Sequence, residues 1–566
     1  MDVEIGSLVR VPLSGRRVRG YVVDVDDEST EGLKDIASVS GEVPIFDERL
    51  LRTLRWASMH YVGPLSATLA RAAPPNVPRR PTERDSPAPA VGDPGPLGTV
   101  TDSIMAGRRL PPTYLLAGPG NRFEALEPLI GAVLDTGRSV MVVAPTAVEV
   151  EEAGAALAAF EQRIDAIVPD LSAAKVTTRW GRAATQSGRL LIGTERIAFW
   201  PVKALGLVVV IEEGRRAMKA RQTPTVHVRE VVRTRSAVEG FAAVFVGVVP
   251  TTELVAAGAH VVRGGGGRLW PLVEVVDRTE EPPGAGVITD RVRIALRATV
   301  GKGGTAFVFT HRRGYAPAFR CVSCRALRIC PDCGSAADHT GLCRRCGKDL
   351  GPCLSCGRRR FEPLGAAVGR VIDELRHAVG VDKVGDASSG CPVVVGTERD
   401  LPGARMVDLA IAVDADGLIH GTNYRSREDA LRMLARLAGL VASGPGRRMA
   451  VQTSRPDNAV LTALRRADPM SLLQEELADR EAFGFPPVGS LIVLEARNPP
   501  DWAAERVATD MAGKATVHGP AATRDATRWL IQGLDLTEAR QALRRTVQEL
   551  RDGGATVRID ADPVDL

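Results

Sequence analysis

Residues 204–211 read ALGLVVVI, and Glu212 and Glu213 follow at once. The run carries no polar side chain and no apolar–polar alternation. A segment of that length predicts a strand buried on both faces, as in a parallel sheet covered by helices. Runs of the same kind recur at TYLLAG (113–118), SVMVVAP (139–145), RLLIGT (189–194), AAVFVGV (242–248) and AHVVRG (259–264), with Ala-rich helical stretches between them. The rhythm returns at GTAFVFT (304–310), CPVVVGT (391–397), DLAIAVDA (408–415) and RRMAVQT (447–453). Alternating strands and helices in two blocks predict an α/β fold with two lobes, over residues 99–270 and 271–490.

Outward from these lobes the pattern changes. GSLVRVPL (6–13) and RVRGYVVDV (17–25) alternate apolar and polar residues around Ser14-Gly15, which predicts a β-hairpin. Leu50, Leu51, Leu54, Trp56 and Met59 then have helical spacing, so residues 1–72 form a small β-rich domain with a helix. Residues 73–98 hold eight prolines in 26 positions and read as a semi-rigid linker. After about residue 490, strands at SLIVLEA, ATVHGPA, RWLIQGL and ATVRIDADP with two helices between predict a small α+β domain over 491–566.

The 566 residues are 44% hydrophobic and only 4% aromatic, so Ala, Val and Leu must fill the cores. No apolar run approaches the ~20 residues of a bilayer span. The start, MDVEIGSLVRVP, lacks the charged segment and apolar stretch of a signal peptide, so a cytoplasmic protein with no membrane partner is expected. The formal net charge is +5, which excludes a polycation. Residues 311–360 are the exception, with eleven Arg or Lys against three Asp or Glu.

Eight of the nine cysteines fall between positions 321 and 356, as four Cys-x-x-Cys pairs: Cys321/Cys324, Cys330/Cys333, Cys343/Cys346 and Cys353/Cys356. Thiols in a reducing compartment read as metal ligands rather than disulfides. Each turn offers two sulfurs to one tetrahedral ion, so four turns predict two closed zinc sites with no open position for catalysis. Spacing alone leaves sequential and interleaved pairings open. Cys391 stands apart beside a Val run and reads as a small apolar residue.

The stretch FVFTHRRGYAPAFRCVSCRALRICPDCG (307–334), with the remaining cysteine pairs, resembles the PriA family of bacterial replication-restart proteins. GTERIAFWPVKALGLVVVIEE (193–213), LAIAVDADGLI (409–419), ELADREAFGFPPVGSLIVLEA (476–496), the closing IDADP (559–563) and GSLVRVPLSGRRVRGYVV (6–23) resemble other parts of it. The resemblance implies two RecA-like superfamily-2 helicase lobes, with a two-zinc module inserted at 320–357 and an N-terminal domain that binds the 3′ end of a strand at a fork. It also implies interleaved zinc sites. Cys321, Cys324, Cys353 and Cys356 would share one ion, and Cys330, Cys333, Cys343 and Cys346 the other.

The motor departs from the family. A phosphate loop needs glycines, a Lys and a Ser/Thr, whereas residues 115–124 read LLAGPGNRFE, leaving Gly118 and Gly120 without Gly-Lys-Thr. The family's D-E-E-H becomes Ile211-Glu212-Glu213-Gly214, its S-A-T-P becomes Gly247-Val248-Val249-Pro250, and its Q-V-A-G-R-A-G-R aligns with residues 436–443, RLAGLVAS. Only the linker stands where the family's winged-helix domain would be.

The expected protein therefore keeps the fold and zinc ions but makes no use of ATP and Mg²⁺. It binds forked and single-stranded DNA, associates with the nucleoid, and works with single-strand-binding protein and the factors that load the replicative helicase. Expected DNA contacts are Arg16, Arg17 and Arg19 on the hairpin, and Arg344, Arg345, Arg358, Arg359 and Arg360 beside the zincs. An active ATP-dependent 3′→5′ helicase and a zinc-stabilised interaction scaffold are the alternatives.

Overall fold

The computed structural model describes residues 3–13, 15–25, 35–82, 95–118, 120–265, 267–279, 281–282, 286–311, 319–331, 337, 340–343, 348–363, 368–421, 423–523 and 526–566. The chain separates into two compact units. The first comprises residues 1–116, 121–264 and 479–564; the second comprises 117–120, 265–478 and 565–566.

The first unit opens with β1 (Leu8–Leu13), β2 (Arg16–Tyr21) and β3 (Ser38–Ser40), an antiparallel sheet in the order β2-β1-β3. Helices α1 (Glu48–His60) and α2 (Leu65–Ala72) follow, and Asp47 caps α1 by accepting from Leu50 N at 2.8 Å. The proline-rich stretch yields to regular structure earlier than its composition suggests. A 3₁₀ turn covers Gly95–Leu97, and α3 (Gly98–Met105) begins directly after it.

Next come β4 (Thr113–Leu116), α4 (Arg122–Asp135), β5 (Ser139–Val143), α5 (Ala147–Ala156), β6 (Ile164–Ala166), α6 (Ala173–Thr185), β7 (Leu190–Gly193), β8 (Leu205–Ile211), α7 (Val228–Glu239), β9 (Ala242–Gly247), α8 (Thr252–Ala256) and β10 (His260–Arg263). The strands form one parallel seven-stranded sheet, ordered β10-β4-β9-β8-β5-β7-β6. Every residue of β4, β5 and β7 is buried. That is why these strands read as unbroken apolar runs rather than alternating ones.

The second unit repeats the scheme. It contains β11 (Val273–Asp277), α9 (Asp290–Gly301), β12 (Ala306–Phe309), the short strands β13 (Phe319–Cys321) and β14 (Phe361–Pro363), α10 (Val368–Val379), β15 (Val384–Gly385), β16 (Val393–Gly396), β17 (Leu409–Ala412), α11 (Asp416–Ile419), α12 (Ser426–Ala438), β18 (Arg448–Thr453) and α13 (Ala459–Arg466). Six strands make a parallel sheet ordered β11-β18-β17-β12-β16-β15, over a core of Val, Ile, Leu and Ala. β13 and β14 pair antiparallel outside this sheet and frame the cysteine segment, which leaves the lobe between β12 and β16. The fold is thus two parallel α/β lobes with an inserted cysteine module.

Helix α14 (Pro469–Phe483) leads back to the first unit. There β19 (Ser490–Arg497), α15 (Ala503–Met511), β20 (Thr516–Ala522), β21 (Thr527–Gly533), α16 (Thr537–Asp552) and β22 (Thr556–Ala561) build an antiparallel sheet ordered β20-β21-β19-β22 with two helices. One of the few aromatic side chains sits at a seam. Trp180 of α6 is fully buried, and its Nε1 donates to Ala72 O at the end of α2 at 2.8 Å. The Lys219 ammonium donates to the carbonyls of Ala561 and Asp562 and lies 2.7 Å from Asp560 Oδ1. N-terminal domain, first lobe and C-terminal domain therefore share one set of buried polar contacts. No described helix is long and apolar enough to cross a membrane.

Candidate metal centre and nucleic-acid interface

The Sγ atoms of Cys321, Cys324, Cys353 and Cys356 all lie within 4.8 Å of one another. Cys321 and Cys356 approach to 3.5 Å, as do Cys324 and Cys353. A tetrahedron of Zn–S bonds of about 2.3 Å has edges of about 3.8 Å, so these sulfurs already stand at the separation one ion requires. Four thiolates form a closed set and suit a structural zinc.

The backbone explains why the sulfurs converge. Cys321 N donates to Ala326 O at 2.8 Å and Arg325 N to Cys321 O at 2.9 Å. Thirty-two residues later the same two bonds recur, Cys353 N to Arg358 O and Gly357 N to Cys353 O, both 2.8 Å. Each turn closes on a residue in the left-handed region, Arg325 at φ 59° and Gly357 at φ 72°. Glycine accepts that conformation without cost, whereas arginine needs compensation. Arg325 has it: its guanidinium donates to the carbonyls of Arg278, Glu281 and Pro282, which anchors the module to the chain after β11.

These turns also tune the thiols. Burial opposes ionisation of Cys321, but the amides of Cys324 and Ser323 and the neighbouring sulfurs outweigh it and bring its pKa down to about 7. Cys353 is lowered too, burial again being overcome by the amides of Ser355 and Cys356. Cys324 moves to about 12: the Ala326 amide favours its thiolate, but the sulfurs of Cys356 and Cys353 prevail.

Of the second expected set, Cys330 and Cys343 are buried around Ala337 and Leu350. Cys333 and Cys346 lie outside the described residues, as do Arg344 and Arg345. The described half of the Cys343 turn repeats the bond of the other two, with Cys343 N donating to Lys348 O at 2.8 Å.

The expected hairpin arginines are on the surface. Arg16, Arg17 and Arg19 of β2 are exposed, and none has a hydrogen-bond or ion-pair partner among the described residues. Register adds one residue that the sequence reading missed. Arg10 of β1 stands directly opposite Arg19, and residues directly opposite share a face. Arg10, Arg17 and Arg19 therefore form one stripe, while Arg16 points to the other face. The signal available was hairpin pairing across Ser14-Gly15, which sets Arg10 against Arg19. Arg358, Arg359 and Arg360 are also exposed, directly after the Cys356 turn.

The nucleotide position is occupied by other contacts. Gly118 and Gly120 group with the second unit, and a side chain at Gly120 would meet nothing within 4 Å, so no tight cradle demands that glycine. Arg122, at the start of α4, is buried, and its guanidinium donates to Glu152 Oε2 at 3.3 Å. Glu213 is fully buried; it accepts from Arg229 at 3.1 Å and from Thr251 N at 2.9 Å, which ties the end of β8 to α7 and α8. Burial opposes the Arg229 charge, but Glu230 and Glu213 outweigh it and raise its pKa. Glu213 is therefore an internal strut. Glu212 differs, being buried at φ 50° with Oε2 lacking a hydrogen-bond partner among the described residues. Arg436 lies 3.2 Å from Glu398.

Two parallel α/β lobes, one carrying an inserted cysteine cluster that could hold a metal ion, define a helicase-like protein. Residues 1–74 match the domain family described as 3'DNA-binding domain (3'BD) of PriA. The chain is similar to the replication restart protein PriA of Treponema pallidum, with 26% identity over an alignment covering 99% of this chain and 95% of that one. It is 27% identical over 543 residues to the probable replication restart protein PriA of Mycobacterium leprae, covering 86% and 82%. The match over residues 1–74 and these two long likenesses all point to PriA proteins. Among solved structures, RecG bound to a three-way DNA junction aligns with 76% of this chain and 53% of that one, at 11% identity and a TM-score of 0.38. The Escherichia coli DEAH/RHA helicase HrpB aligns with 80% and 50%, at 12% identity and a TM-score of 0.35.

Proposed function

We propose that this chain is a replication-restart protein that recognises abandoned or stalled forks. It promotes primosome assembly and reloading of the replicative helicase, and does so without ATP-driven unwinding. The observation that carries the binding half is the unpartnered stripe of Arg10, Arg17 and Arg19 on the domain that matches the 3'DNA-binding family. Guanidinium groups with no internal partner are free to neutralise phosphates. The burial of Glu213 under Arg229 and Thr251 supports the second half, because a carboxylate spent on internal bonds does not hold Mg²⁺.

In this reading the cysteine module holds two zinc ions. Cys321, Cys324, Cys353 and Cys356 take one. Cys330, Cys333, Cys343 and Cys346 take the other, a set supported by burial of Cys330 and Cys343 and by the repeated backbone bond at Cys343. The ions replace a hydrophobic core that the small polar residues between the cysteines cannot supply. Arg358, Arg359 and Arg360, exposed after the Cys356 turn, give the module a basic surface for DNA, and Arg344 and Arg345 are further contacts expected from the sequence. Single-strand-binding protein and helicase-loading factors are the protein partners, and the protein acts at the nucleoid in the cytoplasm.

One observation favours the alternative, an active 3′→5′ helicase: the unpaired oxygen of Glu212 at the end of β8. Fork binding and DNA-stimulated ATP turnover measured on one preparation separate the two readings. Tight fork binding with no turnover supports restart without unwinding, and turnover that tracks fork binding supports the motor.

A further inference from the structure

A cavity of about 560 Å³ opens at the edge of the first sheet where its strands begin, the edge opposite Glu212 and the β4–α4 turn. Its walls come from the end of α3 and the segment before β4, from Arg138 before β5, from the first residues of β8 and β9 and from one side of α7. Four arginines line it, Arg108, Arg109, Arg138 and Arg233, against a single carboxylate, Glu230.

That carboxylate is already committed. Glu230 accepts from Arg229 Nε at 2.8 Å and from Arg233 at 2.9 Å. Arg108 donates to Ser103 Oγ at 3.1 Å. Arg109 and Arg138 have no hydrogen-bond or ion-pair partner among the described residues, and both are exposed. Arginines beside helix carboxyl ends commonly cap the last carbonyls. Here α3 and α7 end at the cavity, yet Arg109 and Arg138 bond to no carbonyl of either, so capping does not account for them. The sequence also clears room for one of them. A Cβ on Gly206 would lie 2.9 Å from both Cβ and Cδ of Arg138, so glycine at the start of β8 lets the Arg138 stem cross it.

We infer that this cavity binds a small ligand bearing two or more phosphate groups, such as a nucleoside polyphosphate. Uncommitted guanidinium groups match phosphate oxygens in bidentate geometry. The volume lies within the range of sites for small molecules. The apolar wall, which includes Leu110 and Phe241, would take the non-phosphate part. The site is separate from the position where helicase motors hold ATP, and it would let a metabolite regulate a chain whether or not that chain hydrolyses ATP.

The test is calorimetric titration of the full-length protein with inorganic pyrophosphate, a nucleoside triphosphate and a short single-stranded oligonucleotide. Pyrophosphate and triphosphate should bind, and Arg109→Glu/Arg138→Glu should weaken both by about tenfold or more. Arg551→Glu, an exposed position at the end of α16, should leave them unchanged. If charge reversal impairs folding, judged by melting temperature, Arg109→Ala/Arg138→Ala is the substitute and should weaken them in the same direction. Binding that ignores the Arg109 and Arg138 changes overturns the inference, as does no binding at all. Oligonucleotide binding that depends on Arg109 and Arg138 without any pyrophosphate binding also overturns it and makes the cavity a DNA contact.

Discussion

His60 Nε2 lies 2.6 Å from Asp562 Oδ2, so the last residue of α1 is tied to the turn after β22, 502 positions away in sequence. Arg540 of α16 donates to His60 O at 3.0 Å, and Lys219 closes the arrangement from the first lobe. Asp562 stands at φ 51°, a conformation unusual for a residue with a side chain, and these partners hold it there.

Asp562 should therefore govern acid stability. Burial pushes its carboxyl upward, but His60, Lys219 and Arg540 outweigh burial and hold it well below the usual carboxylate range. As pH falls, the unfolded chain takes up this proton first, near pH 4. Stability from Asp562 is thus complete above about pH 4 and is lost toward stronger acid. Asp562→Asn should cost about 1.5–3 kcal/mol at pH 7, the usual range for a hydrogen bond to a charged group. It should cost less at pH 3. Urea midpoints at the two pH values check this, and an equal loss at both would refute it.

That interlock was not legible in the sequence, and the reason is physical. Buried strands declare themselves because every residue must be apolar, as in residues 204–211. Cys-x-x-Cys turns declare themselves because two ligands to one ion must be local. His60 and Asp562 form a pair only after three domains have packed, and no local spacing encodes that. The same holds for Glu213. Its place in the chain aligns with the second Glu of the family's D-E-E-H, but its role is set by Arg229, sixteen residues on, and by Thr251. Arg10 became visible only through strand register.

Zinc content should be two ions per chain. X-ray absorption should give Zn–S distances of about 2.3 Å with four sulfurs per ion. Cys356→Ser should lower the stoichiometry toward one, since Cys330 and Cys343 lie in a separate buried cluster. A parent protein holding a single ion would remove the second site from the proposal.

Arg325→Gly should separate metal binding from module docking. Glycine suits the left-handed position at 325, so the Cys321–Cys324 turn and its ion should persist. The bonds to the carbonyls of Arg278, Glu281 and Pro282 would be lost. Hydrogen exchange should therefore quicken across the module and around residues 278–282, with zinc content unchanged. Unaltered protection would mean that other contacts hold the module.

Fork affinity should depend on the hairpin stripe. Reversing Arg10, Arg17 and Arg19 to Glu should weaken binding and flatten its dependence on salt. Each lost phosphate contact removes a slope of about 0.7–0.9 from the log–log plot. Arg16→Glu should matter less, because that side chain points to the other face of the hairpin. Equal effects of Arg16 and Arg19 would argue for a diffuse electrostatic surface rather than a stripe.

ATP turnover should be absent even with saturating forked DNA. Phosphoryl transfer rests on positioning and charge neutralisation. The residues aligned with the family's phosphate loop and its last helicase motif supply no Lys, no hydroxyl before the helix and no arginine pair. Losing an arginine finger alone costs about 10³ to 10⁵ in rate. The control variant matters. Glu213→Gln would disturb the buried Arg229 network and lower activity for structural reasons. Glu212→Gln is the informative change, because Glu212 Oε2 has no hydrogen-bond partner among the described residues. Turnover near background in both parent and Glu212→Gln supports restart without a motor. DNA-stimulated turnover that vanishes in Glu212→Gln, with the melting temperature intact, would assign Glu212 to metal binding and restore the helicase.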